Sequence, residues 1–194
     1  QTRRAAGYLV VALEAGAIAS LLPGGRPASD AAARAQVATA WGVQALPEAT
    51  GRDTAGILAA AASGEIGALV VSGVDPADLG IAGAGAALER AFVVSLEIRP
   101  SAVTAVADVV LPVAAHAEKG GTFVDWEGRT RPFETAIETG YDSDYRVLDM
   151  LADEMGDFLG TRTLREVRTE MASLGAWDGA RAAAPSVPAG DVPV

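Results

Sequence analysis

The 194-residue chain carries 25 acidic and 15 basic side chains, a formal charge of −10, with one His and no Cys; half of it is hydrophobic, but only 5% is aromatic. Without Cys these residues hold no disulfide, thiol nucleophile or Cys-ligated zinc or iron–sulfur cluster, and one His leaves no HExxH or His-cluster metal site. The basic residues are fourteen Arg and the single Lys119, which is followed by Gly120, so there is no GxxxxGK[ST] phosphate loop, and the acidity argues against nucleic acid, which needs clustered Lys and Arg.

At the N-terminus, Thr2-Arg3-Arg4 precedes an apolar stretch over residues 5–22 that only Glu14 interrupts. A twin-arginine export signal has this outline, but Glu14 and the opening Gln1 favour a cut taken from inside a longer polypeptide. No run reaches the ~18–20 uncharged apolar residues of a membrane span, so direct membrane insertion is not expected.

Leu21-Leu22-Pro23-Gly24-Gly25-Arg26-Pro27 predicts a turn-rich loop. Ser29 or Asp30 caps a helix ending near residue 40, and Asp53 caps another ending near residue 63. Residues 66–71 read as a strand apolar on both faces, as a central parallel strand is. After it, Asp75 is placed as an N-cap and Pro76 as the N1 residue of the next turn. A helix over 83–90 leads to a second strand, 92–96, and a short helical link over 101–106 leads to a third, 108–113. Right-handed crossovers turn this β-α-β-α-β order into a parallel sheet. Gly83-Ala84-Gly85 is no dinucleotide fingerprint, because it does not follow a strand directly and Leu88 stands where the third Gly belongs.

Residues 121–131 alternate around a Glu127-Gly128 turn and predict a small β-hairpin. Ser143 caps a helix with Val147, Leu148, Leu151 and Met155 on one face, stopped by Gly156. Thr163 and Glu166 form a capping box for a last helix carrying Leu164, Val167, Met171 and Leu174 at helical spacing. The expected fold is α/β: a Rossmann-like or flavodoxin-like parallel sheet with flanking helices and a small β-hairpin. It occupies 1–175 as a partial domain, followed by an Ala-, Pro- and Gly-rich flexible tail over 176–194.

Ligands of open α/β sheets lie beyond the carboxyl ends of the strands. Asp75, Glu97 and the segment 114–122 follow such ends, where a carboxylate can accept from a guanine edge or a ribose. Lys119, in a Gly-rich corner, is either a phosphate contact or half of a local ion pair with Glu118 or Glu127; the ion pair is the favoured reading. His116 reads as a loop residue rather than a catalytic base, since no GxSxG elbow or second His accompanies it. Asp142, Asp144, Asp149, Asp153 and Glu154 read as a solvated acidic face, because Val147 stands where an EF-hand needs Gly.

Three stretches taken together resemble a known family. They are Val70-Val71-Ser72-Gly73-Val74-Asp75-Pro76, Ala107-Asp108-Val109-Val110-Leu111-Pro112, and Glu118-Lys119-Gly120-Gly121-Thr122-Phe123-Val124-Asp125-Trp126-Glu127-Gly128-Arg129. In this order and spacing they are similar to the molybdopterin oxidoreductase family. Within it they look most like the branch formed by the large iron–sulfur subunit, the G subunit, of bacterial NADH:quinone oxidoreductase (respiratory complex I). Leu13-Glu14-Ala15-Gly16-Ala17 and Leu22-Pro23-Gly24-Gly25-Arg26-Pro27 share that likeness, which covers about residues 13–175.

The resemblance implies a half-domain that, in molybdenum members, holds one guanine dinucleotide of the pterin cofactor. The family's acidic positions fall on Asp75, Glu97 and Asp144, and Lys119 and Thr122 complete a cofactor-binding set in vestigial or ancestral form. Leu96 stands where the family often has Gln, and Glu97 replaces Asp; each lost polar contact costs roughly 1–3 kcal/mol. These departures suit the complex I branch.

The resemblance thus implies a structural part with no catalytic residue and no metal or cofactor of its own. Iron–sulfur clusters would lie elsewhere in the parent protein, passing electrons from NADH to quinone. Its partners would be the rest of its polypeptide and the other components of the complex, in the peripheral arm on the cytoplasmic side of the membrane. Two alternatives stay open: a guanine-dinucleotide site of an active molybdenum or tungsten enzyme such as a formate dehydrogenase, and a stand-alone flavodoxin-like binding module.

Overall fold

A computed structural model of the chain describes residues 21–48, 51–124 and 130–180. The motif at 13–17, the Glu127-Gly128 turn and the tail from residue 181 lie outside the described residues. The core is a three-stranded parallel sheet in the order β3-β4-β5, formed by β3 (Ala68–Ser72), β4 (Phe92–Glu97) and β5 (Val109–Pro112). Its register pairs Val70 with Val94 and Val94 with Val109, so these three point to the same side.

Strand β4 has a neighbour on each side, and its two faces seed two cores. On one face, Val93 (fully buried) packs with Leu58 and Ala61 of α2 (Thr54–Ser63) and Ala84, Ala87 and Leu88 of α3 (Ala84–Arg90). On the other, Leu96 packs with Val113 and with Val147 of α4 (Asp144–Glu154). The small residues of α2 and α3 let the two helices lie close against one another.

The run 66–71 reads as a central strand, yet among the described residues β3 pairs with β4 alone and none of its residues is fully buried. An edge strand can be as apolar as a central one when something else is to cover it. The link over 101–106 is a set of turns, closed by Ala105 N–H to Ser101 O and Val106 N–H to Val103 O.

Local signals set the helix ends. Asp30 accepts from Ala33 N–H to start α1 (Ala31–Ala40), and Asp53 accepts from Gly56 N–H to start α2. Helix α4 stops at Gly156 (φ +77°), where Asp157 N–H reaches Ala152 O and Gly156 N–H reaches Asp153 O. That pair of bonds is a Schellman motif. Thr163 and Glu166 form the capping box of α5 (Leu164–Ser173), whose apolar residues are only half-buried.

The first turn and the end of α5 are held together by one guanidinium. Two-residue strands β1 (Leu21–Leu22) and β2 (Arg26–Pro27) flank a tight turn at Pro23–Gly25 and bury Arg26, which is 1% exposed. Arg26 donates to Gln36 Oε1 (2.9 Å), Pro23 O (3.2 Å), Leu174 O and Gly175 O (3.2 Å), and lies 5.7 Å from the Trp177 ring centre. The planar fork can serve several carbonyls at once, which a Lys ammonium at this depth could not do as well.

Two outcomes follow. Leu96→Ala, at a side chain 1% exposed between the sheet and α4, is expected to cost about 2–4 kcal/mol by denaturant unfolding. Arg26→Ala orphans the oxygens it now serves and is expected to cost about 2–4 kcal/mol, with a changed Trp fluorescence spectrum as Trp177 loses its cation.

Candidate functional site

The parallel strands deliver their carboxyl ends to one side of the sheet. Ser72 closes β3, Glu97 closes β4 and Pro112 closes β5. From there the chain makes a 3-10 turn, His116–Glu118, in which Glu118 accepts from Ala115 N–H at 2.9 Å. Ala114 N–H donates to Asp142 O at 2.8 Å, which brings the start of α4 beside the exit of β5. Lys119 and Asp144 therefore converge although 25 residues separate them.

They form an ion pair between Lys119 Nζ and Asp144 Oδ2, with side chains 15% and 31% exposed. Ser72 Oγ lies 3.4 Å from Asp144 Oδ1. Asp144 is also in the first turn of α4, where the helix dipole favours a carboxylate. Of the two local partners expected for Lys119, Glu118 instead accepts from a backbone N–H, and Glu127 lies outside the described residues.

The other candidates are engaged more locally. Asp75 accepts from Ala77 N–H at 2.9 Å, closing its own turn. Glu97 accepts from Ile98 N–H at 2.9 Å, its own neighbour. Thr122 sits in β6 (Gly121–Val124) opposite Pro132 of β7 (Thr130–Phe133), and no hydrogen bond among the described residues joins it to the other four. Leu96, beside Glu97, is buried and apolar. The structure thus joins Lys119, Asp144 and Ser72, and turns the remaining carboxylates onto this chain's own N–H groups.

Of the acidic residues expected on a solvated face, Asp153 and Glu154 are exposed and Asp142 is partly so, but Asp149 is not. Asp149 is 3% exposed and accepts from Thr161 N–H (3.0 Å) and Arg162 Nε (3.4 Å), and Arg162 also lies 3.7 Å from Asp153. Asp142 pairs with Arg146 at 2.7 Å. A buried carboxylate must be hydrogen-bonded, and the loop after Gly156 returns to do that. Among the described residues no group of three or more His, Asp or Glu side chains is placed to hold a metal ion.

His116 belongs to the 3-10 turn and stacks on Phe123 with ring centres 6.1 Å apart. Phe123 in turn stacks on Phe133 at 4.5 Å. The Gly120-Gly121 pair is explained by approach: a Cβ on Gly120 would lie 2.6 Å from Leu164 Cδ2, and one on Gly121 2.6 Å from the Phe133 ring. Arg168 of α5 then clamps the hairpin, donating to Glu134 Oε1 (2.8 Å), Gly121 O (3.0 Å) and Phe133 O (3.2 Å). A groove of about 440 Å³ lies against α5, lined by Glu134, Leu164, Arg165, Arg168, Thr169 and Ala172, and shares no residue with the candidate set.

Sequence reasoning missed Ser72, Arg26 and Arg162. Ser72 had a signal, being the first polar residue after an apolar strand. The partners of Arg26 and Arg162 had none, since only the fold brings them near.

Residues 9–154 match the family model described as Molybdopterin oxidoreductase. Over 184 residues, 92% of its length, the chain is 55% identical to the NADH-quinone oxidoreductase G subunit of Mycobacterium tuberculosis, of which it spans 23%. It is likewise 55% identical over 190 residues to the NADH-quinone oxidoreductase G subunit of Streptomyces coelicolor, covering 94% of this chain and 22% of that protein. Formate dehydrogenase H of Escherichia coli is 29% identical over 174 residues, 84% of this chain and 24% of that enzyme. The chain spans about a quarter of the length of the curated relatives it matches.

Asp144→Asn and Lys119→Met are each expected to lower stability by about 1–2 kcal/mol, with a double-mutant coupling near 1 kcal/mol by chemical unfolding. Among the described residues the Glu97 carboxylate bonds only its neighbour's N–H, and Glu97→Gln is expected to stay within about 0.5 kcal/mol of wild type by the same unfolding measurement.

Proposed function

The chain belongs to the molybdopterin oxidoreductase family, and we propose that it is a scaffold region of the G subunit of a bacterial NADH:quinone oxidoreductase. The observation that carries this reading is 55% identity to such G subunits over nearly the whole chain, against 29% to a formate dehydrogenase. In that setting the parent protein conducts electrons from NADH through iron–sulfur clusters toward quinone. This region supplies none of the thiolate ligands, having no Cys. Its part in the process is to pack: residues 1–175 form a partial α/β domain and 176–194 a tail. Its partners are the rest of its polypeptide and the other components of the complex, in the peripheral arm on the cytoplasmic side of the membrane. Among the described residues no helix is long and apolar enough to cross a membrane.

Asp75, Glu97, Lys119, Thr122 and Asp144 are, on this reading, a vestigial guanine-dinucleotide pocket. The residues present fit that group poorly. Asp144 has one oxygen on Lys119 and the other near Ser72, and Glu97 and Asp75 each spend one oxygen on a local N–H. Leu96 has no polar group to offer. Uniting a sheltered Lys with a carboxylate also removes the cation a phosphate would use.

Elemental analysis of the full-length parent protein tests the reading. Abundant iron without molybdenum or tungsten is the expected result; about one molybdenum or tungsten per chain would show a live cofactor site instead. A complementary variant, Asp144→Ala in the parent, is expected to leave NADH oxidation intact in an assembled complex. A large loss of turnover with assembly unchanged would count against the scaffold role.

A further inference from the structure

Parallel sheets are covered on both faces, because their strands are apolar on both sides and their crossover connections lay helices there. Here α2 and α3 cover one face around Val93, although Val110 on that side is 43% exposed. The second face is covered only toward the strand ends, where Val147 and Leu148 of α4 pack on Leu96, Leu111 and Val94. Among the described residues nothing covers the other half. Val70 is 57% exposed, Phe92 50% and Val109 38%. The register puts them in one patch: Val70, Val94 and Val109 form a row across all three strands, and Phe92 lies two residues before Val94 on the same side. The patch is thus a continuous apolar surface on the sheet, next to a helix that stops short of it.

From this geometry we propose that the bare half-face is an interface for the remainder of the polypeptide of which this chain is one part, occupied by an apolar helical face of that polypeptide. The inference rests on the reading of the chain as one region of a longer protein, since it spans about a quarter of its relatives' length. Size selects a tethered occupant. Three side chains about half exposed amount to roughly 250 Å², whereas a stable contact between separate proteins buries about 800 Å² on each partner to offset lost translational and rotational freedom. A segment of the same polypeptide arrives at high effective concentration and can seat on a small patch. Chemistry selects an apolar occupant, because Val70, Phe92 and Val109 offer no polar group to match.

The test uses the full-length protein in its assembled complex. Phe92 is replaced by the photo-cross-linking residue p-benzoyl-phenylalanine, the complex is irradiated, and linked peptides are identified by mass spectrometry. The expected product joins Phe92's position to a peptide of the same polypeptide outside these 194 residues. A link to a different protein of the complex, to a second copy, or to residues 1–20 of this chain overturns the proposal. Hydroxyl-radical footprinting of the unsubstituted complex guards against a perturbing label: Phe92 is expected to oxidise at least about fivefold more slowly than in the same protein unfolded. Oxidation at the unfolded rate, with no cross-link, overturns the proposal as well. A link to a different protein would leave the elemental analysis unaffected, and a molybdenum-loaded parent would leave the cross-link unaffected, so the two readings fail separately.

Discussion

Everything in this molecule is arranged around one requirement: β4 lies between two parallel neighbours and must be buried on both faces. Val93 answers it on one side and Leu96 on the other, and each collects its own layer of helices. Because the three strands run the same way, their carboxyl ends emerge together, which is why Ser72, Glu97 and the segment carrying Lys119 fall on one edge. The same requirement exposes what is missing. Among the described residues, a sheet that needs two covers has neither in full.

At the strand-end site the polar groups are engaged with one another and with nearby backbone. Asp144 gains a helix N-terminus, a Lys partner and a nearby serine hydroxyl. Asp75 and Glu97 do the opposite and fold back on their own loops. The result is a closed set of local contacts, which supports packing and offers little to a planar base.

Arginine supplies the long-distance ties in a chain with a single Lys. Arg26 joins the first turn to the end of α5, Arg168 joins α5 to the hairpin, and Arg162 joins the loop after α4 back to Asp149. Each guanidinium serves backbone carbonyls or a carboxylate in fixed directions, which a poorly aromatic core cannot do by shape alone. The two glycines before and in β6 have the matching role on the other side, leaving room for Leu164 and Phe133.

The sequence by itself determined what depends on near neighbours. Asp30, Asp53 and the Thr163–Glu166 box start their helices, Gly156 ends one, three apolar runs become parallel strands, and a hairpin follows them. Its family likeness was legible too, because motif order and spacing are linear properties. Only the tertiary structure decided which partner each charge takes and which strand has two neighbours among the described residues. Lys119 lies next to Glu118 along the chain but meets Asp144 in space, and Asp149 looks like surface on a helical wheel yet is enclosed by a returning loop. The physical reason is common to both: capping and periodicity act within a few residues, whereas burial and ion pairing are set by segments that the chain brings together from far apart, at an entropy cost that only the assembled core offsets.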